Sequence, residues 1–246
     1  MVKYITGFVL TSLVFFSCKK ENDSFSSAAL ANYYPLEVGK YITYDMDSTV
    51  YYINFGKTES VIHYQAQDRV EAQITDNIGR PAYRIQRYLR KDPSQAWVPS
   101  NTFMVVPTEN SVELIENNLR FLKLELPVKQ DFSWKGNSYL TPMAYDTYDF
   151  GSDFTSDWDY VYDSVEVPLT INSNTYDSTI KVAERDEFLG EDPSQPGTQY
   201  GEKTYAVEKY AKGIGLIYKE FLHWEYQGVN KAYKGFGVKL SIIDHN

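Results

Sequence analysis

The amino-acid sequence predicts an all-β protein, an antiparallel sheet that curls into a half-barrel or a barrel-like sandwich. Segments in which apolar and polar residues alternate recur along most of the chain. Turn residues separate these segments at intervals of roughly 8–12 residues, a spacing typical of sandwiches and barrels. The composition agrees, because 22 of the 246 residues are Tyr, whose apolar body and polar tip suit half-buried sheet faces.

The first predicted strands cover residues 41–53 and 62–74, with a turn at 54–57. The second strand has the clearest pattern in the chain. Its apolar positions are Ile62, Tyr64, Ala66, Val70, Ala72 and Ile74, interrupted only by Asp68. Alternation of this length predicts an antiparallel strand with one buried face and one solvated face.

The later part of the chain continues in the same way. Strands are predicted at 82–90, 97–107, 112–116 and 119–126, then in a hairpin that turns at 172–174, and finally at 204–210, 214–226 and 236–243. Within 214–226, we expect Leu216 and Trp224 to lie on the buried face and Lys219 and His223 on the solvated one. A sheet with one continuous apolar face must curl on itself or meet a second sheet.

Two short segments of the sequence occur twice. Residues 35–41 resemble residues 127–134, and the four letters DPSQ appear at 92–95 and again at 192–195. These matches indicate either two related halves or turns that share the same chemistry. Both interpretations remain open at this point.

The N-terminus has the proportions of a secretory signal. Lys3 precedes an apolar run over residues 5–16, which ends at Ser17 and Cys18, the only cysteine of the chain. The run is too short for a spanning helix, which needs ~20 apolar residues. Cleavage before Cys18 would make it the first mature residue.

Residues 15–18, with the sequence FFSC, resemble the lipobox of bacterial lipoproteins in the form found in the Bacteroidota. The resemblance implies cleavage between Ser17 and Cys18, a diacylglyceryl group on the Cys18 thiol, and acylation of the new amine with a fatty acid such as palmitate. Two or three acyl chains anchor a protein firmly, since each buried CH₂ contributes ~0.8 kcal/mol. An ordinary secreted protein with an incidental cysteine is the alternative.

A second short motif follows the cysteine. Lys19, Lys20, Glu21 and Asp23 resemble the signal that sends some lipoproteins of this phylum to the outer face of the outer membrane. The implied organisation is a signal peptide at 1–17, a lipidated tether at 18–32 and a single β domain at 33–246. Segments at 33–39, 213–217 and 241–243 also resemble Bacteroidota lipoproteins, a resemblance that implies an antiparallel β fold with no settled activity.

Charge and motif content exclude several function classes. The formal net charge is −9, and −10 once Lys3 is removed, so the chain lacks the basic surface that nucleic-acid binding requires. There is no G-x-S-x-G, and His63, His223 and His245 are far apart with no H-E-x-x-H spacing. We therefore predict no catalytic residues, no metal site, no cofactor and no enzyme activity.

One segment, residues 145–163, combines many Asp residues with aromatics and has no basic residue. Asp149, Asp153, Asp157 and Asp159 carry the hard oxygen ligands that Ca²⁺ prefers, and Trp158 belongs to an aromatic set suited to stacking on a sugar or a partner. The D-x-[DN]-x-[DN]-G loop is missing. A solvated acidic loop with aromatics packed beneath it is the simpler interpretation.

Three functions remain open from the sequence. The favoured one is a non-catalytic binding or accessory module, lipid-anchored in the cell envelope, for an apolar or glycan ligand. The second is a structural or assembly partner of another envelope protein. The third is a glycan-acting hydrolase, whose paired carboxylates cannot be picked out among 33 acidic residues.

Overall fold

A computed structural model describes residues 29–54, 57–141, 158–229 and 231–246. This part of the chain contains one short helix and twelve strands: α1 (Leu30–Tyr33), β1 (Tyr41–Asn54), β2 (Lys57–Thr75), β3 (Pro81–Arg90), β4 (Val98–Pro107), β5 (Ser111–Glu116), β6 (Leu119–Glu125), β7 (Ser133–Lys135), β8 (Asp159–Ile171), β9 (Asn174–Gly190), β10 (Tyr200–Ala211), β11 (Gly215–Gln227) and β12 (Ala232–His245). No helix in these described ranges is long and apolar enough to cross a membrane.

All twelve strands belong to one antiparallel sheet. Its order is β6-β5-β4-β3-β2-β1-β12-β11-β10-β9-β8-β7, so strands that are consecutive in sequence pair with one another, except β6 and β7, and β1 pairs with β12. The sheet curls into a nearly closed barrel whose two edges are β6 and β7. The predicted all-β, antiparallel curled sheet is therefore confirmed.

The two edges of the sheet meet in a seam that side chains complete. The backbone N–H of Leu122 in β6 donates to the carbonyl of Gly136, which follows β7, over 2.8 Å. The indole N–H of Trp134 donates to the Leu122 carbonyl, also over 2.8 Å. Tyr162 of β8 donates its hydroxyl to the Glu125 carbonyl over 2.7 Å and accepts the Glu125 N–H over 3.0 Å. These bonds replace part of the missing β6–β7 ladder.

The segment before β1 packs into the larger of two buried clusters. Leu30 and Tyr33 of α1 are members of this cluster, together with side chains from β2 to β10. The buried core therefore includes Leu30, which lies within the stretch expected to be a tether. The smaller cluster groups Tyr44 of β1 with Leu240 and Ile242 of β12 and others.

The repeated sequence segments adopt repeated conformations. The fifth residue of each similar segment, Gly39 in one and Asp131 in the other, has a positive φ. The N–H of Gly39 donates to the carbonyl of Val70 in β2, and the N–H of Asp131 donates to the carbonyl of Tyr162 in β8. At the DPSQ segments, the Asp92 and Asp192 carboxylates accept the N–H two residues ahead over 2.9 and 2.8 Å. The strands can be divided into two sets of six, β1–β6 and β7–β12. The first pair of similar segments then precedes the first strand of each set, β1 and β7. The DPSQ pair lies between the third and fourth strands of each set, β3–β4 and β9–β10. This arrangement favours two related halves.

The orientation predicted for β11 is wrong from Lys219 onward, whereas Leu216 lines the interior as expected. His223, expected on a solvated face, is 3 % exposed, and Lys219 lines the barrel interior. Both faces of this strand carry apolar side chains, Phe221 on one and Leu222 on the other, so alternation alone could not decide which face is inside. Lys209 and Tyr210 of β10 pair with Tyr218 and Leu216, so Ile217 is an extra residue in β11, and this bulge reverses the alternation beyond Leu216.

Candidate functional site

Two cavities inside the barrel share part of their lining. Both are bounded by Arg87, Leu114, Glu116, Lys123 and Lys219, which come from β3, β5, β6 and β11. We call the cavity near the N-terminal segment the inner chamber and the other the aromatic chamber. Since the same five side chains border both, the two chambers are parts of one hollow interior. We call the band of charged side chains between the chambers the waist.

The two chambers differ in size and lining. The inner chamber has a volume of about 80 Å³ and is bounded by Tyr34, Pro35 and Leu36 of the segment that precedes β1. The aromatic chamber has a volume of about 320 Å³. Five of its nine apolar lining side chains are aromatic: Phe121, Trp158, Tyr160, Phe221 and Phe236. Its size and apolar walls are those of a small-molecule site.

Four charged side chains form a buried cluster at the waist. The ammonium of Lys123 lies 2.5 Å from an oxygen of Glu184 and 2.9 Å from an oxygen of Glu208. That Glu208 oxygen is also 3.3 Å from the ammonium of Lys219, and the other Glu208 oxygen accepts the hydroxyl of Tyr210. Lys123, Glu184 and Glu208 have side-chain exposures of 6, 6 and 2 %. Charges this deeply buried are stable only when they are paired.

Irregularities in the strands place two members of this cluster. Leu124 and Leu122 pair with Val112 and Glu113, so Lys123 between them has no partner in the register. Glu184 is also an extra residue: its neighbours Ala183 and Arg185 pair with the adjacent residues Val207 and Ala206 of β10, and Glu184 between them is left out of the register. Such β-bulges re-aim side chains and are frequent beside functional sites.

The pKa values of the two glutamates are shifted in opposite directions. Burial, together with the negative charge of Glu208, raises the pKa of Glu184 to about 7. Burial alone would also raise the pKa of Glu208, but Lys123 and Lys219 lower it to about 2. Burial would lower the pKa of Lys123, yet the two glutamates raise it well above its ordinary value. Near neutral pH, the two coupled carboxyl groups together therefore bind or release one proton.

A second ion pair stands at the waist. Arg87 of β3 donates Nε and Nη2 to the two carboxylate oxygens of Asp68 in β2, each over 2.6 Å. The charged groups at the waist were not predicted from the sequence. The available signal was Asp68, which breaks the apolar face of the second strand, and Arg87, which stands between Ile85 and Leu89 on the apolar face of the third.

Two candidate residues of the acidic segment, Trp158 and Asp159, lie within the described chain. Asp149, Asp153 and Asp157 lie outside the described residues. Asp159 pairs with Lys135 over 3.0 Å, with a side chain 63 % exposed. Trp158 is 3 % exposed and lines the aromatic chamber, so this aromatic is packed rather than presented on the surface.

Other predicted sites are distributed as follows. The residues of the lipobox-like and export-like motifs lie outside the described residues: Ser17, Cys18, Lys19, Lys20, Glu21 and Asp23.

The histidines do not come together. His63 is exposed and bonds Asp47 over 2.6 Å, whereas His223 is buried and bonds the Thr204 hydroxyl over 2.9 Å. Within the ranges that the structure describes, no group of three or more His, Cys, Asp or Glu side chains is arranged to hold a metal ion.

Solved structures that are similar to this chain include the following two. One is a protein from Parabacteroides distasonis, provisionally described as a lipoprotein, with 15 % identity, a TM-score of 0.30, and coverage of 86 % of this chain and 98 % of that one. The other is a DUF1329 family protein from Desulfovibrio piger, with 10 % identity, a TM-score of 0.18, and coverage of 86 and 87 %. No protein-family model matches the chain. No curated protein matches it in sequence.

Proposed function

We propose that this protein is a non-catalytic binding module of the bacterial cell envelope that takes a small amphipathic ligand into the aromatic chamber. The observation that carries the proposal is the contrast within one cavity of about 320 Å³, which has aromatic walls and a charged waist. Apolar walls reward burial of a hydrocarbon or ring system, and a few convergent polar groups fix its orientation.

A hydrolytic role is less well supported by the same geometry. Glu184 and Glu208 have separated pKa values, as the two carboxyl groups of a glycoside hydrolase do. However, Glu184 lines the aromatic chamber and Glu208 lines the inner chamber, and the ammonium of Lys123 lies between their oxygens. Two carboxyl groups that open to different cavities are poorly placed to act on one bond.

Binding is tested with an uncharged apolar fluorophore, 1-N-phenylnaphthylamine, and purified full chain. We expect saturable one-to-one binding and displacement by decan-1-ol. Val238 lines the aromatic chamber, so Val238→Trp should fill it and weaken binding at least tenfold. Val61, which is 41 % exposed, provides the matched control Val61→Trp, which should bind as the unchanged chain does. Equal effects of the two substitutions would place the fluorophore elsewhere and contradict the proposal.

Envelope attachment is proposed to occur through acylated Cys18, with residues 1–17 removed, at the outer membrane. The lipobox-like sequence FFSC at 15–18 supports this part of the proposal. Mass spectrometry of protein purified from its native membranes should show a chain that begins at Cys18 and carries two or three acyl groups. Cys18→Ala should abolish acylation and membrane fractionation. An intact leader or an unmodified thiol would refute it.

A further inference from the structure

We propose that the ligand of the aromatic chamber carries one carboxylate, bound by Lys219, and that Glu184 takes up a proton from solvent when this ligand binds. The inference rests on the proposed binding function and names its ligand class and its proton linkage. It is built on the unequal pairing of the four charged groups at the waist.

Lys219 is the least committed cation of the cluster. The ammonium of Lys123 lies 2.5 and 2.9 Å from oxygens of two glutamates, and Arg87 donates two hydrogen bonds to Asp68. Lys219 has one ion-pair contact among the described residues, at 3.3 Å, to a Glu208 oxygen that Lys123 already holds. An ammonium has three donors. Its side chain is 23 % exposed and lines both chambers, so Lys219 can donate to a ligand without breaking the Lys123 contacts.

The balance of charge requires a proton to accompany an anion. The two chambers are lined by four cationic side chains, Lys40, Arg87, Lys123 and Lys219, and by four carboxyl side chains, Asp68, Glu116, Glu184 and Glu208. With all of these groups ionised, an incoming carboxylate would create an excess of one negative charge in a poorly solvated place. Protonation of one carboxyl group restores the balance.

Glu184 is the group placed to take this proton. It lines the chamber that would hold the ligand, whereas Glu208 is held by Lys123, Lys219 and Tyr210. Lys123 of β6, Glu208 of β10 and Lys219 of β11 are the charged groups that act on Glu184, and its pKa of about 7 brings the protonation within reach at neutral pH. The protonated carboxyl can then donate a hydrogen bond to the ligand.

The charge on the ligand head should be single. A carboxylate carries one negative charge, whereas a phosphate monoester carries about −1.5 to −2 at pH 7. The second charge would meet Glu116, Glu184 and Glu208 with one loosely paired lysine to offset it. A hydrocarbon or ring system attached to one carboxylate fits both the aromatic walls and the waist.

The experiment uses isothermal titration calorimetry of the full chain with three probes of equal length, decanoate, decan-1-ol and decylamine, at pH 7.5. We expect decanoate to bind at least tenfold more tightly than the other two. Repetition in two buffers with different ionisation enthalpies should show uptake of about half to one proton per decanoate bound, since Glu184 is only partly protonated at this pH. Decan-1-ol should bind without proton uptake.

Three variants identify the groups. Lys219→Met should remove the preference for decanoate, whereas Lys239→Met, an exposed lysine of β12, should keep it. Glu184→Gln should bind decanoate without proton uptake, because glutamine is neutral at every pH. Decan-1-ol or decylamine binding as tightly as decanoate, or an undiminished proton uptake in Glu184→Gln, would overturn this inference and leave the binding module standing. Absence of binding by all three probes would overturn both.

Discussion

Arg87 holds Asp68 through two hydrogen bonds of 2.6 Å in the barrel interior, with side-chain exposures of 16 and 12 %. Arg84 and Glu71 make the corresponding contact between the same two strands at 2.7 Å, but their side chains are 47 and 40 % exposed. The two pairs have the same chemistry and differ in access to water. They therefore separate the effect of burial from that of the contact itself.

Asp68→Ala should lower the free energy of unfolding by about 3–5 kcal/mol, because it leaves the Arg87 charge buried without its partner. Glu71→Ala should lower it by no more than about 1 kcal/mol, since water solvates the released arginine. Urea unfolding of the two variants at pH 7 measures both values. Losses of equal size would show that the interior site is as well hydrated as the surface.

The strand content of this fold was largely predictable from sequence because the period-two signal is strong. The predicted strand at 82–90 corresponds to β3, Pro81–Arg90, and the loop around DPSQ at 192–195 separates β9 from β10. β7, Ser133–Lys135, was not predicted, since three residues are too few to show alternation. It is fixed instead by pairing with β8 and by the Trp134 side chain at the seam.

The charged waist could be predicted only in part. Asp68 stood out as a carboxylate on an apolar face, and its partner Arg87 occupies the matching place on the next strand. Lys123 and Glu184 gave no comparable signal, because each enters the interior at a bulge, and a bulge depends on pairing between strands distant in sequence. Their approach across 61 residues is a consequence of barrel closure.

Glu184 and His223 should give the free energy of unfolding opposite dependences on pH between about 4.5 and 6.5. Burial raises the pKa of Glu184 from 4.5 to about 7, so in this window the folded state keeps a proton that the unfolded state releases, and stability falls as pH rises. Burial lowers the pKa of His223 from 6.5 to about 4, so the unfolded state binds the additional proton, and stability rises with pH.

Single variants make these opposed contributions visible. Compared with the unchanged chain, Glu184→Gln should make stability rise more steeply with pH, and His223→Gln should make it rise less or fall. Each difference in slope should reach at most about 1.4 kcal/mol per pH unit, the value for one proton. Urea unfolding at pH 4.5, 5.5 and 6.5 measures the slopes. Changes of the same sign in the two variants would contradict the assigned pKa directions.

The seam should depend on the hydroxyl of Tyr162, which bonds both backbone groups of Glu125. Tyr162→Phe should lower the free energy of unfolding by about 1–3 kcal/mol, because it leaves buried polar groups without partners. It should also accelerate amide hydrogen exchange at Glu125. Tyr83→Phe is the matched control, since Tyr83 packs against the same cluster and its hydroxyl bonds no described residue. A change within about 0.5 kcal/mol is expected there, and equal effects of the two substitutions would mean that the hydroxyl does not hold the seam.

Lys123 should be the most sensitive position of the charged waist, because two buried carboxylates depend on its ammonium. Lys123→Met should lower the free energy of unfolding by about 3–5 kcal/mol at pH 8. The loss should be smaller at pH 5, where Glu184 is protonated and needs no cation. Addition of Glu184→Gln should recover part of the loss at pH 8, because one uncompensated charge is then removed. Lys181→Met is the control: Lys181 pairs with Asp163 at 2.7 Å with side chains 36 and 51 % exposed, so a loss of at most about 1 kcal/mol is expected. If the two lysine variants lose the same stability, or if the loss at Lys123 is independent of pH, the glutamates do not depend on this ammonium in the way that their contacts indicate.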